Sequence, residues 1–252
     1  MSVFVTAGAS GIGRAFAEAF LAEGRGVAVM DRDAAALADF ARAHPEAVAL
    51  EGDVTDEASV AENIAFADAS FGGLEVICAN AGTGGPAGRL ETLQADAWRA
   101  CVDVNVTGAF LTAKHAIPVL RRGGGGLILF TSSTAGQWGY PNRSPYAAAK
   151  WAIVGLTKTL AMELGPAGIR VNAIAPGAVE GERMERVLAM EAAASGREVE
   201  ALRADYVKGV SMKTWVSAGD IAAMAVFLAS AAARRISGQV IAVDGNTETL
   251  AP

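Results

Sequence analysis

Short apolar runs alternate with longer amphipathic stretches from the first residues of the chain onward. Ser2–Thr6, Val27–Asp31, Ala47–Glu51, Leu74–Ala79, Gly126–Ser132, Arg170–Ala175 and Gln239–Val243 are rich in aliphatic and β-branched residues, and they predict strands. Gly11–Ala22 carries Ile12, Ala15, Phe16, Ala19 and Phe20 at helical spacing. Similar patterns predict helices over Ala34–Ala43, Glu57–Ser70, Ala95–Leu120, Pro145–Leu164 and Ala218–Ala229. The strand runs are continuously apolar, as expected when helices cover both faces of a sheet. Strand alternating with helix implies right-handed crossovers between parallel strands. The expected fold class is therefore α/β: one doubly wound, Rossmann-type domain over residues 1–252, with a parallel sheet of about seven strands. Residues 179–213 break the rhythm with a long, charge-rich, helix-favouring insertion. Such an excursion reads either as an exposed helical pair or as a lid over a substrate crevice.

Composition narrows the class. Apolar residues make up 52% of 252 and charged residues 19%, which excludes a disordered chain. A net charge of −6 argues against nucleic acid and anionic membranes as partners. No apolar run reaches the roughly 18 residues that a membrane span needs. Cys78 and Cys101 sit in apolar stretches and read as small core residues, with neither a disulfide framework nor a metal site expected. No basic region precedes the first strand, so no signal peptide is expected, and the protein is expected to be cytoplasmic.

Candidate chemistry begins where the first strand runs into Thr6-Ala7-Gly8-Ala9-Ser10-Gly11-Ile12-Gly13. Glycines between a strand and a helix allow a sharp turn and close approach to a diphosphate, which the helix N-terminus then receives. Gly8, Ser10, Gly11, Ile12 and Gly13 are the candidate phosphate-binding residues. Asp31, 18 residues beyond Gly13 at the end of the second strand, suits the adenosine ribose hydroxyls. A carboxylate there repels a 2′-phosphate, so NAD is expected over NADP, although Arg32 beside it works in the opposite sense.

Tyr146 and Lys150 stand four residues apart, on one face of a predicted helix. A nearby cation favours phenolate, so such a pair can exchange a proton with an alcohol or ketone. Ser132 and Ser133 follow an apolar strand, and Asn80-Ala81-Gly82 follows another. Both segments therefore lie at the carboxyl edge of the sheet, where open α/β folds bind ligands. Asn105 falls inside a predicted helix, an unfavourable place for an amide unless it is hydrogen-bonded.

With these residues in order, the chain resembles the short-chain dehydrogenase/reductase family in its form of about 250 residues with a Tyr-x-x-x-Lys motif. The resemblance runs from residue 3 to about residue 246, and it includes Asp53-Val54, Asn172, Pro176-Gly177 and Ser237-Gly238-Gln239. It implies Tyr146 as general acid/base, Lys150 lowering its pKa and binding the nicotinamide ribose, and Ser133 holding the substrate oxygen. Asn105 would hold a water that links Lys150 to solvent. Asp53 and Val54 would contact adenine, and Asn80, with Ala81 and Gly82, would steady the sheet edge beside the cofactor. Val179, after Pro176 and Gly177, would meet the nicotinamide amide.

Two positions depart from the family pattern. Ala7 stands where the family's first turn glycine follows Thr, and Gly181 replaces a cofactor-binding Thr. The substrate pocket would draw on Gln137, Trp138, Asn142, Arg143 and Glu180, and polar groups among aromatics suit a small polar alcohol: a polyol, sugar or hydroxy acid. The alternatives are a 3-oxoacyl thioester reductase and a non-catalytic dinucleotide sensor. The resemblance also implies a homotetramer.

Overall fold

Alternate residues of each strand feed two different cores. Val3 and Val5 of β1 (Ser2–Thr6), Val27 and Val29 of β2 (Gly26–Asp31), Val76 and Cys78 of β4 (Val76–Ala79) and Leu127 and Leu129 of β5 (Gly126–Thr131) point to one side. Phe4, Ala28, Met30, Ile77, Ile128 and Phe130 point to the other. The structure, a computed structural model, describes residues 2–249; Met1 and residues 250–252 of the expected domain lie outside the described residues. With β3 (Val48–Glu51), β6 (Ile169–Pro176) and β7 (Val240–Val243), the strands form one seven-stranded parallel sheet in the order β3-β2-β1-β4-β5-β6-β7.

Helices cover both faces. Phe16 and Phe20 of α1 (Gly11–Ala22), Leu37 and Phe40 of α2 (Ala34–Ala43) and Ile221 and Leu228 of the helix over Ala218–Ala229 pack on the first core. Val60 and Ile64 of α3 (Glu57–Phe71) pack on the second. They are joined there by Leu111, Leu120, Ile153 and Leu164 from the helices that follow β4 and β5. Each deeply buried aliphatic or aromatic side chain contributes about 1.5–3 kcal/mol by leaving water. Among the described residues no helix is long and apolar enough to cross a membrane.

The helix expected as one element over Ala95–Leu120 is in fact three. α4 (Ala95–Val102) leads into a π-helical turn over Asp103–Thr107, and α5 (Gly108–Arg122) follows. The wider turn falls on Asp-Val-Asn-Val-Thr, whose β-branched and short polar residues are poor at holding a regular helix. α6 (Ser144–Leu164) starts with Pro145 in its first turn, where the missing N–H costs nothing. The insertion over 179–213 forms a helical pair, α7 (Glu182–Ser195) and α8 (Val199–Lys208), before α9 (Ala218–Ala229).

Candidate active site

The strand order reverses direction between β1 and β4, and a crevice opens at the carboxyl ends of such a pair. The turn leaving β1 is held by tight backbone packing. A Cβ on Gly8 would lie 2.6 Å from Val29 Cβ, and one on Gly13 would lie 2.0 Å from the Ala7 carbonyl oxygen. Ala7 itself takes φ +49° and Gly11 +53°. The alanine thus keeps the turn in a left-handed conformation, at a cost of about 1 kcal/mol. Ser10, the N-cap of α1, is exposed and makes no side-chain capping bond, and the first turn of the helix carries no acidic residue. Its hydroxyl and the first N–H groups of α1, beside half-buried Ile12, suit an anion.

Asp31, 9% exposed, ties this turn to β2: Oδ2 accepts the Ala9 N–H at 3.1 Å and Oδ1 accepts the Asp33 N–H at 3.1 Å. Arg32 is exposed. Asp53 accepts the Thr55 N–H at 2.9 Å and the Thr55 hydroxyl at 2.8 Å. The first of these bonds is the main reason its carboxyl titrates below its ordinary value, and the charge of Arg32 adds to it. Val54 is buried against Gly108, where a Cβ would come within 2.8 Å of Val54 Cγ2.

Asn80 joins three strand ends. Its side-chain amide donates to the Thr6 carbonyl at 3.2 Å and the Ala7 carbonyl at 3.4 Å, and its Oδ1 accepts the Thr131 hydroxyl at 2.9 Å. Thr6 Oγ1 accepts the backbone N–H groups of Asn80 and Ala81, at 3.0 and 3.1 Å. Gly82 leaves open the space next to the expected catalytic groups: a Cβ there would lie 2.7 Å from Asn105 Oδ1 and 3.2 Å from Lys150 Nζ.

Asn105 sits on the π-turn, buried, and donates to the Thr83 carbonyl at 2.9 Å and the Cys101 carbonyl at 2.8 Å. Its Oδ1 is buried with no hydrogen-bond partner. Lys150 is buried and donates to the Thr131 carbonyl at 2.8 Å. Its own carbonyl accepts the Ser132 hydroxyl at 3.0 Å, which fixes α6 on the end of β5. Ser133 Oγ accepts the Ala135 N–H at 3.1 Å and keeps its proton for another acceptor. Tyr146 is half-buried, and Lys150 Nζ lies 5.6 Å from its ring centroid.

Pro176 closes β6, and Gly177 passes so close to Asp244 that a Cβ would come within 2.8 Å of its Cα. Val179 bridges to Val216 in parallel. Of the expected substrate residues, Gln137 is half-buried, Trp138 is 42% exposed, and Asn142 is exposed at φ +58°. Glu180 is exposed where its N–H bonds the Val216 carbonyl, one residue before Gly181 at φ +131°. Arg143 is buried, with its guanidinium 5.7 Å from the Tyr146 ring centroid.

Comparison with known proteins decides the family. Residues 6–246 match the family model described as "Enoyl-(Acyl carrier protein) reductase". The chain is 38% identical over 246 residues to cis-4-hydroxycyclohexanecarboxylate dehydrogenase of Sinomonas cyclohexanicum, covering 96% of this chain and 94% of the relative. It is 36% identical over 243 residues to galactitol 2-dehydrogenase of Agrobacterium fabrum (strain C58 / ATCC 33970), covering 96% and 94%. Among solved structures it is similar to NAD+-bound xylitol dehydrogenase, at TM-score 0.93 and 28% identity over 97% of this chain and 98% of the other. The chain belongs to the short-chain dehydrogenase/reductase family. It is an NAD(P)-dependent oxidoreductase.

In this short-chain dehydrogenase/reductase, four side chains at the site were given no role from the sequence. Thr6 and Thr131 serve Asn80. Glu191 of α7 and Tyr206 of α8 reach back to Arg143 and to Tyr140, ahead of α6. Glu191 reads in sequence as one more charge on a solvated helix face; the only available signal was Tyr206, the sole aromatic on α8.

Proposed function

We propose that the chain is an NAD-dependent dehydrogenase that oxidises a secondary hydroxyl of a small polar alcohol, with Tyr146 as the general acid/base. The observation that carries this reading is Lys150 beside the Tyr146 ring, its ammonium bonded to the end of the strand that leads into Ser133 and flanking Gly82 with Asn105 Oδ1, next to a glycine turn anchored by Asp31. The residues present fit a dinucleotide. Gly8, Ser10, Gly11, Ile12 and Gly13 would receive the diphosphate, Asp31 the adenosine ribose, and Asp53 and Val54 the adenine. Asn80, Ala81, Gly82, Lys150, Pro176, Gly177 and Val179 would line the nicotinamide half. The space above Gly82, between an orphaned Asn105 Oδ1 and the Lys150 ammonium, is the strongest structural support for that fit.

When bound, the nicotinamide supplies the acceptor for the hydride that leaves the carbinol carbon. Tyr146 Oη takes the hydroxyl proton, and Ser133 donates to the substrate oxygen and holds it in reach. Lys150 stabilises the phenolate by its charge. Asn105 Oδ1 offers an acceptor for a water beside Lys150, through which the proton reaches solvent. A carboxylate at Asp31, held in place by two N–H groups, repels a 2′-phosphate, which favours NAD over NADP.

The relatives named for a hydroxycyclohexanecarboxylate, galactitol and xylitol support a small polar alcohol. Trp138, Gln137, Asn142, Arg143 and Glu180 would shape its pocket under a lid made of α7 and α8. We read the assembly as a cytoplasmic homotetramer built on α5, α6 and the last strand, supported by exposed Phe110, Trp151 and Met162. The thioester-reductase reading is favoured by the wording of the matched family model. It is opposed by Asp31 and, for an acidic carrier, by the chain's net charge of −6.

The test is NADH formation from NAD with xylitol, galactitol, hydroxycyclohexanecarboxylates and simple secondary alcohols. Turnover with at least one of them is expected, and Tyr146→Phe should reduce it by roughly 10²–10⁴-fold while NADH still binds. Full turnover by the Phe variant would remove Tyr146 from the chemistry. Silence on every alcohol alongside reduction of a 3-oxoacyl thioester would transfer the reading to the alternative.

A further inference from the structure

Arg143 stands just ahead of α6 and is 3% exposed, so its guanidinium is a buried charge. Three elements hold it. Nη2 donates to the Gly84 carbonyl at 3.0 Å, and a Cβ on Gly84 would lie 2.8 Å from that nitrogen. Nη1 reaches Glu191 Oε1 of α7 at 3.5 Å. The guanidinium carbon lies 5.4 Å from the ring centroid of Tyr140 and 5.7 Å from that of Tyr146. Glu191 in turn accepts the Tyr206 hydroxyl of α8 at 2.7 Å, and the Tyr206 and Tyr140 hydroxyls meet at 2.7 Å.

A guanidinium taken out of water needs a well-made counter-charge and partners for its donors. Here the single carboxylate sits at the long end of hydrogen-bond range, and Arg143 Nε has no partner. Arg143 is therefore an incompletely neutralised cation, as near the Tyr146 ring as Lys150 Nζ at 5.6 Å. Among the described residues, the carboxylate that pairs with it rides on α7.

We infer that Arg143 is a positioning residue that acts on Tyr146 by charge, and that Glu191 sets how strongly it acts, so that the seating of α7 tunes the proton affinity of the phenol. Its use in catalysis rests on reading Tyr146 as the general acid/base; the electrostatic coupling itself does not. A unit charge about 6 Å away at an effective dielectric of about 20 changes a proton affinity by roughly 10- to 100-fold, and Glu191 cancels part of that. Charged and titratable groups of several elements enter the field around Tyr146. α6 contributes Lys150 and the segment ahead of it Arg143 and Tyr140, while Glu191 of α7 and Tyr206 of α8 stand behind Arg143 and Tyr140. Ser133 and Asn105, from the end of β5 and the π-turn, are neutral. Asp103 is exposed, and Asp96 and Arg99 of α4 pair with each other at 2.7 Å.

The chain has only three tyrosines, which makes the inference measurable without substrate or cofactor. Burial pushes Tyr140 and Tyr206 above the ordinary phenol value, and the absorbance change that Tyr146→Phe removes belongs to Tyr146. Its titration is followed by phenolate absorbance of the whole protein, with Tyr146→Phe as the blank. Arg143→Gln is expected to raise the midpoint by about one pH unit, a roughly tenfold change, and Glu191→Gln to lower it by roughly threefold in proton affinity. Arg143→Lys, which keeps the charge, should titrate close to the unsubstituted chain.

Opposite shifts from the two partners are something that loosened packing does not produce. An unmoved midpoint in both Gln variants, shifts in the same direction, or a Lys variant that follows Arg143→Gln would each overturn the inference. Should Arg143→Gln not fold, Glu191→Gln decides alone: a fall supports the coupling, and no change or a rise defeats it. Failure of the functional reading is separate, since it appears as turnover surviving in Tyr146→Phe.

Discussion

Asp31 and Ala7 are the residues at which sequence and structure speak most directly to each other. The position of Asp31 at the end of β2 was legible from its spacing to the glycine turn. Its second task was not: one of its oxygens accepts the Ala9 N–H and so fixes the turn itself. Asp31→Ser should therefore do two things at once. Loss of a charged acceptor is worth about 1.5–3 kcal/mol, so kcat/KM with NAD should fall by roughly 10- to 100-fold. Loss of the repulsion should let NADP be used, which parallel kinetics with both dinucleotides would reveal. A selectivity left unchanged would mean that discrimination resides elsewhere. Ala7 reads in sequence as a departure from the family's turn, yet it adopts the left-handed φ of +49° that glycine takes without strain. Ala7→Gly should raise stability by roughly 0.5–1 kcal/mol, measured by chemical denaturation; a loss of stability would show that the alanine methyl makes a contact outweighing its strain.

Elements were legible wherever hydrophobic period and length agreed. The strand runs that feed two cores and the first three helices all lie within a residue or two of their expected ends, and the insertion over 179–213 holds two helices, at 182–195 and 199–208. The exception is instructive. Apolar spacing continues smoothly through Ala95–Leu120, so periodicity alone cannot register the extra residue that a π-turn inserts at 103–107. Asn105 was the sole hint, an amide where a helix would leave it stranded. The turn aims that amide at the Thr83 and Cys101 carbonyls and leaves Oδ1 beside the gap over Gly82. Asn105→Ala should strip the Thr83 and Cys101 carbonyls of a donor and cost about 1–3 kcal/mol, seen as a lower unfolding midpoint. If the amide also relays protons, turnover should fall further than at the more distant Thr83→Ala, which leaves the backbone carbonyl in place. Equal turnover in the two variants would confine Asn105 to a structural part.

At the scale of the whole molecule, periodicity gave the class of sheet but not its strand order, because order depends on crossovers that no local pattern encodes. The surface is where the unfinished business lies. Trp151 and Met162, 50% and 82% exposed, stand eleven residues apart and so share one face of α6, about three turns from each other. Phe110 on α5 is 48% exposed. Apolar groups of this size cost free energy in water, and covering them with further copies of the chain recovers about 25 cal/mol per Å² of apolar surface. The consequence reaches the chemistry, since Trp151 directly follows Lys150 and α6 carries Tyr146 as well. A neighbouring subunit packed on this face would stiffen the helix that holds both. If the proposed homotetramer is built on this face, Trp151→Glu should convert an assembly of about four 25.7 kDa chains into smaller species by light scattering, and turnover should fall in proportion to dissociation. If mass drops while turnover per chain stays constant, assembly is not needed to order α6. If mass does not change, the interface lies on another face.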